Sequence, residues 1–170
     1  IRDSPTIMKL SPTGTLLLNL TSYNLTPYDV TTDSADNIIV SGSPRFAIMK
    51  FSPTGTSLWN YSTTYYGSVR DVTTDSADNI IAAGHYLRVL GVFPFIGSIM
   101  KFSPTGTSLW NYNTMTLFSG GGDVTTDSAD NIIAAGYWYT MNESEEFPTI
   151  MKFSPTGTLL LNLTSYNLTP

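Results

Sequence analysis

The sequence predicts an all-β chain of β-propeller blades, each of four antiparallel strands, on the strength of three observations. The phrase IMKFSPTGT occurs at Ile48, Ile99 and Ile150, and again at Ile7 with Leu10 in place of Phe. A second phrase, DVTTDSADNII, begins at Asp29, Asp71 and Asp123. The SPTG turns start at Ser11, Ser52, Ser103 and Ser154, giving periods of 41, 51 and 51 residues. Repeats of about 40–50 residues suit either a four-stranded blade or a helical solenoid. Composition decides between them, because the units are rich in Thr, Tyr, Ile, Val and Trp, carry turn residues every 8–12 positions and have no apolar 3.6-residue period.

Each unit reads as two hairpins. Asp71–Asp75 and Ile80–Gly84 are strands around the turn Ser76-Ala77-Asp78-Asn79; Ser98–Phe102 and Thr107–Tyr112 are strands around SPTG. In SPTG, Ser opens a type I turn, Pro presets φ at the second position, and Gly supplies the left-handed residue leading into the next strand. Asp and Asn suit the DSADN turn because both tolerate left-handed geometry and bond their own backbone. With strands lettered A to D from the axis outward, the chain reads as a C–D hairpin (1–28) followed by three blades (29–69, 70–121 and 122–170).

DVTTDSADNIIAAG followed by IMKFSPTGTSLWNY resembles the seven-bladed β-propeller (SBBP) repeat of bacteria and archaea, from Ile7 onward. The chain departs from that pattern in having Ala-Asp-Asn where Gly-Asn is usual at the first turn. The resemblance implies propeller blades and an exported surface protein, and it implies no chemistry.

Three blades do not close a ring, and an open end leaves apolar surface. More chain or an oligomer is therefore expected. Residues 5–27 and 148–170 agree at 22 of 23 positions, differing at Leu10 and Phe153, and both carry LLLNL where the internal copies carry SLWNY. The expectation is an excised or processed segment of a longer repetitive protein, or a chain whose partner completes the ring. The near-interchangeable end hairpins invite exchange between copies, so the expected partner is the chain itself, as a homo-oligomer or as further repeats.

Composition narrows the function classes. Without Cys there is no disulfide framework and no Cys-ligated metal site. Charged residues make up 12% of the chain, the net charge is −5, and the four Lys fall one per repeat, at Lys9, Lys50, Lys101 and Lys152. A nucleic-acid footprint needs clustered cations, so nucleic acid is not an expected partner. No apolar run approaches the ~20 residues of a membrane span. Triplets of the N-x-[ST] type begin at Asn19, Asn24, Asn60, Asn142, Asn162 and Asn167. In a chain rich in Asn, Thr and Ser several such triplets arise by chance; the low charge, the abundant Thr, Ser and Tyr and the resemblance favour an extracellular or cell-surface location, where these triplets are candidate N-glycosylation sites.

Candidate site residues fall into two groups. Asp33, Asp36, Asp75, Asp78, Asp127 and Asp130 are recurring acids that could hold a hard cation, but two carboxylates and an amide per loop are few ligands, and the reading taken is turn chemistry. His85, the only histidine, reads as a loop imidazole. Glu143, Glu145 and Glu146 read as a solvated acidic loop. Trp59 and Trp110 are expected between neighbouring blades, at a cost of roughly 3–5 kcal/mol on truncation if buried. Strand direction puts the A–B and C–D turns on one face of the array and the B–C and D–A connections on the other. All the length variation lies on the second face, in Ser43–Ala47, His85–Ser98 and Tyr137–Thr149. Those loops carry His85, Tyr86, Arg88, Phe93, Phe95, Tyr137, Trp138, Tyr139 and Met141 as an aromatic binding face, with the alternative that Tyr137–Tyr139 extends a strand and Leu87–Phe95 covers a blade. No catalytic constellation and no cofactor are expected. The expected function is a non-enzymatic scaffold or self-associating surface module, the alternative a lectin-like or peptide-binding module.

Overall fold

The computed structural model describes residues 6–21, 25–87, 96–114, 122–139 and 146–164. Among them every regular element is a strand: β1 Thr6–Leu10, β2 Leu16–Thr21, β3 Thr26–Thr32, β4 Ile38–Ser43, β5 Arg45–Phe51, β6 Ser57–Thr74, β7 Ile80–Leu87, β8 Ile96–Phe102, β9 Ser108–Thr114, β10 Asp123–Thr126, β11 Ile132–Tyr139, β12 Glu146–Phe153 and β13 Leu159–Thr164. All pairings are antiparallel between consecutive strands. They form a leading hairpin (β1–β2), a seven-stranded sheet (β3 to β9) and a four-stranded sheet (β10 to β13), and no described sheet closes on itself.

Turn chemistry sets the hairpins. In each SPTG turn the Gly has φ between 85° and 89°, and its N–H donates to the Ser carbonyl at 2.9–3.0 Å. In each DSADN turn the second Asp is left-handed, with φ of 58–59° at Asp36, Asp78 and Asp130.

One expectation is corrected. The D–A connection between the first two units is not a loop on the variable face. β6 runs unbroken for 18 residues, its first half pairing with β5 and its second half with β7. The reason is local: Tyr61 to Tyr66 is a run of Tyr, Ser and Thr with no turn residue, and Gly67 accommodates a backbone approach so close that a Cβ there would meet the His85 carbonyl oxygen at 2.3 Å. The equivalent connection before β10 lies partly outside the described residues.

Neighbouring units stack face to face, with a front and a back on each. One core joins the back of the first unit (Ile39, Ile48, Trp59, Tyr61) to the front of the second (Val72, Ile80, Ala82, Met100, Phe102). A second joins Ile81, Ala83, Ile99, Trp110 and Tyr112 to Val124, Ile132, Ala134, Met151 and Phe153. A third seats Ile7, Leu18 and Leu20 of the leading hairpin on Ile38, Val40, Met49 and Phe51. Double coverage explains why consecutive residues of β4 and β7 are all buried rather than alternating.

Identical phrases report where coverage stops. Ile48 and Ile99 are 0% and 2% exposed, but Ile150, the same residue of the third unit, is 45% exposed. Val72 and Val124 are 3% and 5% exposed, whereas Val30 is 55% exposed. The stack therefore has an open back on the third unit and a front on the first that the leading hairpin covers in part.

Trp59 is half-buried rather than enclosed. Its ring packs 6.4 Å from Phe102 and lies over Gly106, where an added Cβ would meet it at 2.9 Å. Trp59→Ala is therefore expected to cost about 2–3 kcal/mol, below the range for a fully buried ring. Gly106→Ala, strained by φ and by the ring together, should cost about 2 kcal/mol. Part of the Gly106→Ala cost should vanish in the Trp59→Ala background, and a double-mutant cycle by denaturant unfolding measures that coupling.

Candidate functional site

The recurring acids sit on the constant face, and the first Asp of each DSADN turn has a defined set of partners. Asp33 Oδ1 accepts the N–H groups of Ala35 and Asn37 at 3.0 and 2.9 Å, and Asn37 Nδ2 donates to Asp33 Oδ2. Asp75 and Asp127 repeat this arrangement with Asn79 and Asn131. These are the turn bonds expected of the phrase. The sequence reading missed the counter-charge. Lys50 Nζ lies 2.7 Å from Asp33 Oδ2, Lys101 Nζ 2.7 Å from Asp75 Oδ2, and Lys152 Nζ 2.8 Å from Asp127 Oδ2. Burial pushes the Asp33 and Asp75 carboxyls up, but the Lys and Asn partners outweigh it and hold both below the usual carboxylate range.

The same Lys reaches the next unit. Lys50 Nζ donates to the Pro104 carbonyl at 3.0 Å, and Trp59 Nε1 donates to that oxygen at 3.1 Å. Lys101 and Trp110 do the same to Pro155. The third Asp of the phrase makes another link between units: Ser34 donates its N–H and hydroxyl to Asp78, and Ser76 does so to Asp130. A third link uses the Asp that opens the phrase. Val72 N–H donates to Asp29 at 3.0 Å and Val124 N–H to Asp71 at 2.5 Å. The Asp71 carboxyl is half-buried and pushed up to about 6, by burial first and then by its hydrogen bond with Asp29. Asp29 and Asp71 were not singled out from sequence; their recurrence at the head of every phrase was the available signal.

On the variable face the structure separates the predicted residues. His85 and Tyr86 are strand residues of β7, not loop residues. His85 is buried, with Nε2 3.4 Å from Ser68 Oγ, and burial, then the Arg70 charge, depress it to about 4. It is inside because Gly67 and Gly84 let β6 and β7 approach over it. Tyr86 stacks on Tyr65 at 5.5 Å and meets Phe46 edge-on at 6.4 Å. Tyr137, Trp138 and Tyr139 extend β11, opposite Pro148, Phe147 and Glu146, which is the strand alternative. Arg88, Phe93, Phe95 and Met141, with Glu143 and Glu145, lie outside the described residues. A cleft of about 320 Å³ opens beside His85, lined by Tyr28, Pro44, Tyr66, Ser68 and Arg70 among others. Arg70 stands 4.7 Å over the Tyr28 ring.

Of the N-x-[ST] triplets, Asn19, Asn60 and Asn162 are exposed on β2, β6 and β13; Asn24, Asn142 and Asn167 lie outside the described residues. Among the described residues no three His, Asp or Glu side chains converge as a metal site, and no helix is long and apolar enough to cross a membrane.

Two predictions follow from these charges. The Lys101–Asp75 pair is enclosed, its side chains 5% and 2% exposed, whereas those of Lys152–Asp127 are 33% and 26% exposed. Lys101→Met leaves a buried carboxylate uncompensated and should cost about 3 kcal/mol. In the dissociated chain, where that pair is solvated, Lys152→Met should leave the melting temperature nearly unmoved. The second concerns pH. Asp71, raised in the folded state, favours folding at low pH and loses that contribution as pH rises from about 4 to 6. His85, depressed in the folded state, acts oppositely and loses stability as pH falls from about 6.5 to 4. In unfolding titrations, Asp71→Asn should therefore lose more stability than the parent between pH 7 and 4.5, by about 1 kcal/mol after screening of a half-exposed carboxyl. His85→Gln should shift the same difference the other way. Below about pH 4 both variants should destabilise further as Asp33 and Asp75 take up protons.

No family model and no curated protein matches the chain. In fold it is similar to a protein of unknown function from Bacteroides caccae, known from a crystal structure at 1.35 Å resolution. The two align with a TM-score of 0.64 at 13% identity, over 94% of this chain and 54% of the other, so the chain spans about half that protein's length.

Proposed function

We propose that the chain is an open run of propeller-type blades serving as a non-enzymatic, exported structural module that associates through the ends of its stack. The observation carrying this reading is that the polar links between units recur from one joint to the next, made by the repeated phrases and by Trp59 and Trp110, while Val30 on the front of the first unit and Ile150, Leu161 and Leu163 on the back of the third stay exposed. The four-stranded units, their face-to-face stacking and the residues shared with the SBBP repeat support the propeller form. The acids that could have done chemistry are engaged in turns and joints, which supports a structural role. Low charge and the exposed Asn19, Asn60 and Asn162 triplets support an extracellular or cell-surface setting.

A second reading, a lectin-like or peptide-binding module, draws on the cleft beside His85, where Tyr28 and Tyr66 are 45% and 55% exposed next to Arg70. Aromatic faces with one fixed cation suit sugar rings or peptide side chains.

Light scattering and a glycan array separate the two. The scaffold reading expects a mass above the 18.6 kDa of one chain across the micromolar range, lowered by Ile150→Asp on the open back. A mass of one chain throughout, together with glycan binding lost in Tyr66→Ala, would replace it with the binding reading.

A further inference from the structure

We infer that the third unit of one copy docks on the front of the first unit of a second copy, displacing the leading hairpin β1–β2 from it. This rests on the reading of the units as a self-associating stack and names the surface and the contacts.

The leading hairpin already shows what the front of the first unit accepts. It holds Leu18 and Leu20 against Gly55, where an added Cβ would meet them at 2.9 and 2.7 Å, in the manner of Trp59 over Gly106 and Trp110 over Gly157. The corresponding residues of the third unit, Leu161 and Leu163, are exposed on its open back beside Ile150. The two hairpins share their register: Ile7↔Leu20 and Lys9↔Leu18 in one, Ile150↔Leu163 and Lys152↔Leu161 in the other, each with an irregularity just after the Lys. Since residues 5–27 and 148–170 differ only at Leu10 and Phe153, β12–β13 fits the surface that β1–β2 occupies.

The leading hairpin fills only the outer half of that surface. Beside it runs a cleft of about 550 Å³ lined by Ile7, Lys9, Val30, Asp36, Ile38 and Val40 among others. Lys9 has no carboxylate partner among the described residues, and Asp36 is exposed. A third unit brings the missing inner half, β10–β11, with Ile133 and Ala135 facing Val30. It also completes each joint already seen twice. Ser128 donates to Asp36 as Ser34 does to Asp78. Val30 N–H donates to Asp123 as Val72 N–H does to Asp29. Lys152 Nζ donates to the Pro53 carbonyl as Lys50 does to Pro104. Phe153 stays on Trp110 and Tyr112 of its own copy, at 6.1 and 4.8 Å, which is why the leading hairpin, with Leu10, is the one displaced.

The chain has no Cys, so paired cysteines test the contact cleanly. Ser34→Cys with Asp78→Cys places a disulfide at a joint within one chain and calibrates the geometry. Ser128→Cys with Asp36→Cys places it at the inferred joint between copies. The expected result is a monomeric cross-link in the first variant and covalent dimers or larger species in the second, with Asp36→Ala weakening association of the parent about tenfold by light scattering. If the first pair cross-links and the second stays reduced, or closes only within one chain, the docking is overturned, and a mass above one chain then leaves self-association by another route. If the first pair fails as well, the stacked joint itself is overturned, and the docking with it.

Discussion

The structure depends on a lysine ammonium shared between two units. Lys50 Nζ holds the Asp33 carboxylate of its own unit and the Pro104 carbonyl of the next, and Lys101 repeats the node with Asp75 and Pro155. A buried charge is tolerated only when its partners are in place. Each node therefore requires the A–B turn of one unit, its C strand and the C–D turn of its neighbour to be folded at once. Because the ammonium has three donors and both oxygens are fixed by turns, the node also sets the direction and spacing of the stack. Hydrophobic stacking alone would be indifferent to a slip between faces. The Ser–Asp and Asp–Val links add the same polarity at the A–B turns and the A strands.

Identical residues in unequal surroundings make the molecule its own control. Lys50, Lys101 and Lys152 have the same neighbours in sequence, yet only the first two are enclosed. Nothing in the third phrase differs; what differs is the absence of a described unit behind it. The same contrast holds for Ile48 against Ile150 and Val72 against Val30. Burial here is thus a property of position in the stack, and each added neighbour converts a solvated ion pair and an apolar stripe into a core.

What was legible in the sequence was whatever is decided locally. SPTG and DSADN encode their turns through Pro, Gly and left-handed Asp, and hairpin pairing follows from them, so the order of strands and the two faces could be read directly. The joints were not legible because their partners are 43–54 residues apart, although one Lys and one buried Asp per repeat was a signal in plain sight. The continuity of β6 is marked in the sequence only by the absence of turn residues between Tyr61 and Tyr66, where the repeat pattern implies a connection. His85 reads as a loop residue in sequence because its burial depends on Gly67 and Gly84 drawing two strands together, a tertiary effect with no local mark.

The substitutions at the ends of the array obey the same logic as its interior. Trp59 and Trp110 each span a joint, the ring over the next unit's Gly and the indole N–H on the next unit's Pro carbonyl. Leu18 takes that place in β2, covering Gly55 by apolar contact without the hydrogen bond. The joint made by an LLLNL strand thus repeats the apolar cover of the others without the indole donor to the carbonyl. A joint weaker than its neighbours is where a stack opens first, and it is made here by the hairpin that also lacks an inner half. The aromatic that follows the Lys adapts to either kind of neighbour: Phe102 and Phe153 stand on the Trp and Tyr of the preceding unit, whereas Phe51 is buried among the leucines of the leading hairpin.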